Sequence, residues 1–100
     1  MRIISGRCGG RTIVPPKNLR ARPTTDFAKE NLFNVLRNMI DFEDIEVLDL
    51  FAGTGSISYE FASRGAAAVT SVEINAVHYN FIRTTAKTFG FDNLHAVKAN

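Results

Sequence analysis

Apolar residues recur along this chain in two periods that alternate. Ile45 to Phe51 is apolar except at Glu46 and Asp49, Ala67 to Val72 is a second short run, and Leu94 to Lys98 begins a third. Short runs bounded by turn residues read as strands, and one that is apolar on both faces suits the middle of a parallel sheet. Helical spacing fills the gaps. One helix spans Gly55 to Ser63 and is closed by Gly65. The next spans Asn75 to Phe89, with Val77, Phe81, Ile82, Ala86 and Phe89 on its apolar side and Gly90 as its stop. Ahead of these lies a helix starting at Thr25 or Asp26, either of which suits an N-cap. Ala28, Leu32, Val35, Leu36, Met39 and Ile40 form its expected buried stripe, and Asp41 to Glu46 is an acidic turn. The order β-α-β-α-β predicts a parallel sheet with right-handed crossovers, an α/β fold.

The first residues follow another pattern. Met1 to Ser5 and Arg11 to Val14 read as paired strands, joined through Gly6 to Gly10 and stopped by Pro15-Pro16. Lys17 to Arg22 reads as an extended connection, since Pro23 keeps Arg22 out of the helical region. Three segments result: a basic hairpin arm at 1–22, a linking segment and helix at 23–44, and the α/β body at 45–100.

Charge sharpens this division. The net charge of +2 hides six basic and no acidic residues in 1–22, against six basic and ten acidic in 23–100. A +6 arm on a −4 body has the form of a polyanion-binding appendage, although such a hairpin could also serve only solubility. Cys8 is the only cysteine, so an internal disulfide and a cysteine metal cluster are excluded and a reducing compartment fits. No window approaches the roughly 18 apolar residues of a membrane span, and no signal-peptide core opens the chain. A soluble, cytoplasmic protein without a metal site is expected.

Candidate chemistry gathers after the first strand. Gly53 and Gly55 open the backbone to close approach, and the helix starting beside them turns free amides toward the same space. Asp49 precedes this loop, and a carboxylate inside a strand needs loop amides or a ligand ammonium as partner. Glu73, 18 residues after Gly55, ends the second strand, where its oxygens suit a ribose. A dinucleotide fingerprint would have a third glycine at position 58, which is Ser58 here. A diphosphate would also be repelled by Asp49, whereas S-adenosylmethionine would bring its ammonium. The pattern therefore favours the methyl donor.

Asp49-Leu50-Phe51-Ala52-Gly53-Thr54-Gly55 resembles the first motif of class I adenosylmethionine-dependent methyltransferases, which have a Rossmann-like sheet. Met1 to Gly6, Gly10-Arg11, Arg22-Pro23-Thr24-Thr25-Asp26, Lys29-Glu30 and Leu32 to Leu36 are similar to the start of one family, the bacterial 16S ribosomal RNA guanine-N2 methyltransferases. The resemblance implies that Ala52, Gly53, Thr54 and Gly55 line the methionine end of the cofactor and that Asp49 supports its amino group. It places the ribose on Glu73 and the adenine on Ile74, with Arg22, Pro23 and Thr24 folding over the site. Arg2, Arg7 and Arg11, with Arg20 and Arg22, would meet RNA phosphates, the partner being ribosomal RNA or the small ribosomal subunit. Asn75 stands where relatives carry a charged residue, and it also suits a helix cap.

One part of the family pattern is missing. Asn or Asp followed by Pro-Pro-Tyr does not occur, and the only adjacent prolines are Pro15-Pro16. The chain thus resembles the N-terminal half of such an enzyme, with no catalytic residue of its own. His78 and His95 are expected to be surface or packing residues. A methyltransferase acting on DNA or protein, or a non-catalytic cofactor- or RNA-binding fragment, is the alternative. Half of a parallel sheet leaves an apolar edge, so dimerisation or a swapped assembly of the 100-residue chain is also expected.

Overall fold

A computed structural model describes residues 1–19 and 24–99. Its sheet is built from β1 (Glu46–Leu50), β2 (Ala68–Glu73) and β3 (Leu94–Lys98), all parallel and in the order β1-β2-β3. Asp49 lies opposite Ser71, and Glu73 opposite Lys98. The crossovers are α2 (Ser56–Ser63) and α3 (Ala76–Thr88). Both step in the same direction across the sheet, so with right-handed connections both helices cover one face. Val69, Ser71 and Glu73 point into that face and are buried. Leu48 and Leu50 point the other way and stay 62% and 56% exposed. The first strand therefore alternates, although its sequence is apolar on both sides.

α1 (Asp26–Leu36) starts where the sequence suggests, with the Thr25 hydroxyl accepting from the Ala28 amide at 3.1 Å. Its buried side is different from the expected stripe. Leu32, Val35 and Met39 are exposed, and Met39 and Ile40 lie beyond the helix end, while Lys29 and Phe33 are buried. Phe33 packs edge-on against Phe61 at 4.7 Å and near Phe42 at 5.8 Å, with the Arg64 guanidinium 4.6 Å from its ring. Helical periodicity showed an apolar face, but the face that docks is the one whose lysine finds a carboxylate on α2.

The N-terminal hairpin forms. Ile13 and Met1 exchange main-chain bonds at 2.8 and 3.0 Å, and the Ile3 amide donates to Arg11 O at 2.9 Å. Regular pairing is nonetheless confined to the bridge between Arg2 and Thr12. The hairpin is folded down into the core, with Ile3, Cys8 and Ile13 buried among Tyr59, Ala62, Ile82 and Phe91. Ile4 and Ser5 donate their amides to Glu60 at 2.8 and 3.1 Å. The Arg7 amide donates to Ser63 O at 2.8 Å. Gly6 makes this approach possible: its φ is +85°, and a Cβ there would sit 2.1 Å from Ser63 O. No helix among the described residues is long and apolar enough to cross a membrane.

Candidate functional site

The chain leaves β1 through an unusual sequence of backbone angles. Phe51, Gly53 and Gly55 all have positive φ, at 59°, 61° and 86°. Phe51 is the only non-glycine residue so placed among the described residues, and its ring is 90% exposed. A bulky residue in the left-handed region is strained, a condition that concentrates at functional loops. The Ala52 amide donates to Val72 O at 3.1 Å, holding the loop against the next strand. Gly55 is fixed from below: a Cβ there would lie 2.6 Å from the Tyr59 ring. Its glycine is required by packing as well as by φ. Gly55 caps α2 without a side-chain hydrogen bond, so no capping side chain takes up the first amides of that helix.

Glu73 ties the two strand ends together. Its Oε1 accepts from the Gly53 amide at 2.9 Å and its Oε2 from the Asn75 amide at 2.7 Å. His78 Nδ1 lies 3.8 Å from Oε1. An ionised carboxylate has about four acceptor positions, so roughly two are left for a ligand. Asn75 acts as the N-cap of α3, its Oδ1 accepting from Val77 and His78 amides at 2.9 and 3.1 Å.

Asp49 is half-buried on the helix-covered side of β1. The Ser58 hydroxyl donates to its Oδ2 at 2.6 Å, and the buried Ser71 hydroxyl donates in turn to Ser58. Burial pushes the Asp49 carboxyl above the usual carboxylate range, and the Ser58 hydrogen bond offsets part of that rise. In the sequence, Ser58 was notable only as a missing glycine. Its spacing from Gly55 was the available signal, since position 58 faces the strand under the loop. On the uncovered face of the sheet, a cleft of about 280 Å³ is lined by Leu50, Phe51, Val72, Ile74 and Ala99.

Lys29 is the second residue whose place the sequence did not reveal. It is 1% exposed and donates from Nζ to Ser56 Oγ at 3.1 Å, with Glu60 Oε1 3.9 Å away. Burial lowers the pKa of its ammonium, and Glu60 opposes that shift. The cation thus sits at the start of α2 and adds to the positive end of that helix.

Asp49, Ala52, Gly53, Thr54, Gly55, Glu73 and Ile74 are therefore gathered at the C-terminal ends of β1 and β2. Thr24 is exposed just ahead of the α1 cap. Arg20, Arg22 and Pro23 lie outside the described residues. Arg2 lies against the start of α1, its amide donating to Asp26 at 3.0 Å, and Arg7 and Arg11 are elsewhere. Arg7 Nη2 donates to Phe89 O and Gly90 O, each at 3.0 Å, at the C-terminal end of α3. Arg11 stacks over the Phe89 ring at 4.1 Å. α3 begins beside Glu73 and its 13 residues rise about 20 Å. Arg7 and Arg11 are thus a helix length from the glycine loop.

Comparison with known proteins agrees with this architecture. A family model described as conserved hypothetical protein 95 matches residues 1–100. Ribosomal RNA small subunit methyltransferase D of Escherichia coli K12 is 40% identical over 101 residues, covering 100% of this chain and 50% of the relative. The solved structure of the candidate methyltransferase yhhF of E. coli superposes with a TM-score of 0.85 at 32% identity, covering 100% of this chain and 52% of that one. Precorrin-6y C5,15-methyltransferase of Geobacter metallireducens superposes with a TM-score of 0.69 at 25% identity, covering 86% and 43%. The chain spans about half the length of the curated relatives it matches. It belongs to the conserved hypothetical protein 95 family and carries the first part of the Rossmann-like methyltransferase fold.

Proposed function

We propose that the chain forms the S-adenosylmethionine-binding part of a methyltransferase whose substrate is the exocyclic N2 of a guanine in small-subunit ribosomal RNA. The cofactor reading rests on the charge around the glycine loop. Asp49 and Glu73 flank it, and their hydrogen-bond donors are neutral hydroxyls and amides. Two carboxylates without a lysine or arginine partner among the described residues favour a cationic ligand and oppose a diphosphate.

In this reading the methionine carboxylate meets the amides at the start of α2 that no carbonyl or side chain takes up, in the field of that helix's positive end. Ala52, Gly53, Thr54 and Gly55 line the methionine end. Asp49 takes the ammonium, and Glu73 uses its remaining acceptor positions for the ribose hydroxyls. Ile74, 60% exposed at the end of β2, lies against the adenine. Thr24 belongs to the segment closing over the site. The bound cofactor supplies an electrophilic sulfonium methyl, and the residues of this chain bind and orient it. No residue of 1–100 is assigned as acceptor for the guanine amine protons. Arg2, Arg7 and Arg11, with Arg20 and Arg22, are assigned to RNA phosphates. The open face of the sheet, with Leu48 and Leu50, is where further polypeptide or a second copy would pack.

The test is calorimetry of the full-length protein with S-adenosylhomocysteine and with NAD, followed by transfer of labelled methyl to naked ribosomal RNA and to assembled small subunits. Binding of the homocysteine nucleoside and label on a guanine are expected. Uptake of NAD alone would overturn the cofactor reading, and label on DNA or protein alone would overturn the substrate reading.

A further inference from the structure

The outer side of α3 was assigned no role by the sequence. The helix Ala76–Thr88 contains no acidic residue, and Arg83 and Lys87 sit one turn apart on it, both exposed. Among the described residues neither makes an ion pair. The contrast with the interior is sharp, because Lys29 and Arg64 are both matched by Glu60. Thr84 and Thr88 are exposed between and beside the two cations.

The surface continues without a break into the N-terminal turn. A depression of about 500 Å³ is lined by Arg83, Thr84, Lys87 and Thr88. A second, of about 240 Å³, shares Thr84 and Thr88 and runs to Thr12, Ile13 and Val14. Arg11 borders it, laid over Phe89. Stacking fixes the guanidinium plane, and apart from Nη1, which lies 3.9 Å from Cys8 Sγ, its edge donors are not taken up by a carboxylate or carbonyl among the described residues. Arg7 differs, since its Nη2 is spent on the α3 carbonyls. Residues 1–19 also contain no acid, and among the described residues lining these depressions Asp92, in a third one shared with Arg83 and Lys87, is the carboxylate.

We infer that Arg83, Thr84, Lys87 and Thr88 of α3, extended by Arg11 and Thr12, form a docking surface for an RNA phosphate backbone. Guanidinium, ammonium and hydroxyl donors in an exposed row, with no acid between them, match what such a backbone requires. Of the large exposed apolar residues, Val14 borders this surface and Val77 lies in the first turn of α3, while Phe27, Met39, Leu48, Leu50 and Phe51 lie on other elements, so the α3 surface lacks the apolar stripe that a membrane would require. The surface starts at Arg83, about 10 Å along α3 from the end beside the glycine loop, and runs away from it, so it would hold RNA flanking the target rather than the target base. This inference rests on the RNA-substrate reading above.

The experiment compares the full-length parent with the double variants Arg83→Glu/Lys87→Glu and Arg83→Gln/Lys87→Gln. Binding to a small-subunit ribosomal RNA fragment is followed by fluorescence anisotropy across a salt series, with S-adenosylhomocysteine affinity measured in parallel. Both residues are exposed, so the variants should fold and keep cofactor affinity. The expected result is RNA affinity at least about tenfold lower for the glutamate pair, with the salt slope of the glutamine pair smaller by about 2. Unchanged RNA affinity and slope with cofactor binding intact would overturn this surface and leave the proposed function standing. A parent that binds cofactor but no RNA, or anionic vesicles in its place, would overturn both.

Discussion

Glu60 on α2 and the Asp49–Glu73 pair at the strand ends are both carboxylate clusters in the same small domain, and they are built in opposite ways. Glu60 is fully buried and its charge is cancelled. Arg64 Nε donates to it at 2.7 Å, Lys29 Nζ lies 3.9 Å away, and Ile4 and Ser5 supply two amides. Those contacts join α1, α2 and the N-terminal hairpin. Asp49 and Glu73 are held by a hydroxyl and two amides, with the His78 ring nitrogen Nδ1 3.8 Å from Glu73. The first arrangement is complete without a ligand. The second leaves negative charge at an opening, which is unfavourable for folding alone and useful for holding a cation.

Glu60→Ala is expected to give the largest effect on this contrast. It would leave a buried lysine and two main-chain amides without their acceptor, a loss of about 3–5 kcal/mol on the scale of broken buried pairs. Denaturant unfolding of the full-length protein measures it, and a change below about 1 kcal/mol would show that Glu60 is not the joint described. Asp49→Asn should behave in the opposite sense. Cofactor affinity should fall about tenfold to a hundredfold, or roughly 1.4–2.8 kcal/mol, while stability stays level or improves. Calorimetry alongside unfolding separates the two, and a variant as destabilised as Glu60→Ala would erase the distinction.

The pH dependence should follow the same division. The folded-state pKa of Asp49 is raised, so its contribution to stability is greatest in acid and is lost as pH rises through that raised value. Asp49→Asn should therefore flatten the stability profile over this window while making cofactor affinity less dependent on pH. Parent and variant unfolding curves collected from acid to neutral pH test this, and parallel profiles would count against it. The smallest change is expected from Ser58→Ala, about 1 kcal/mol of stability. The donor to Asp49 is removed, so the Asp49 pKa should rise further, readable by NMR titration of its carboxyl.

Much of the fold was legible because it rests on local chemistry. The three sheet strands and the helices α2 and α3 begin and end within a residue or two of their sequence signals, whereas α1 stops at Leu36, short of Met39 and Ile40, and the N-terminal strands pair regularly only at Arg2 and Thr12. Thr25 and Asn75 cap α1 and α3 as their side chains suggest. The loop at Ala52 to Gly55 and the acid at Glu73 were visible because β-α-β order brings consecutive parallel strand ends together. The α1 stripe was misread for a different reason. Leu32, Val35 and Met39 have helical spacing, but spacing does not say which partner a helix meets. The basic N-terminal segment was read from its charge as an arm, whereas Ile3, Cys8 and Ile13 anchor it in the core.

The sequence by itself determined the order of the elements, the bend after β1 and the two acids beside it, because each follows from backbone preference and chain order. Only the tertiary structure decided that Lys29 is a buried partner of Glu60, that Ser58 supports Asp49, and that Arg11 joins the basic face of α3. The physical reason is that a charge acts through its surroundings. Whether a lysine, serine or arginine is solvated, paired or waiting for a ligand depends on groups that are distant in the chain and adjacent only once it has folded.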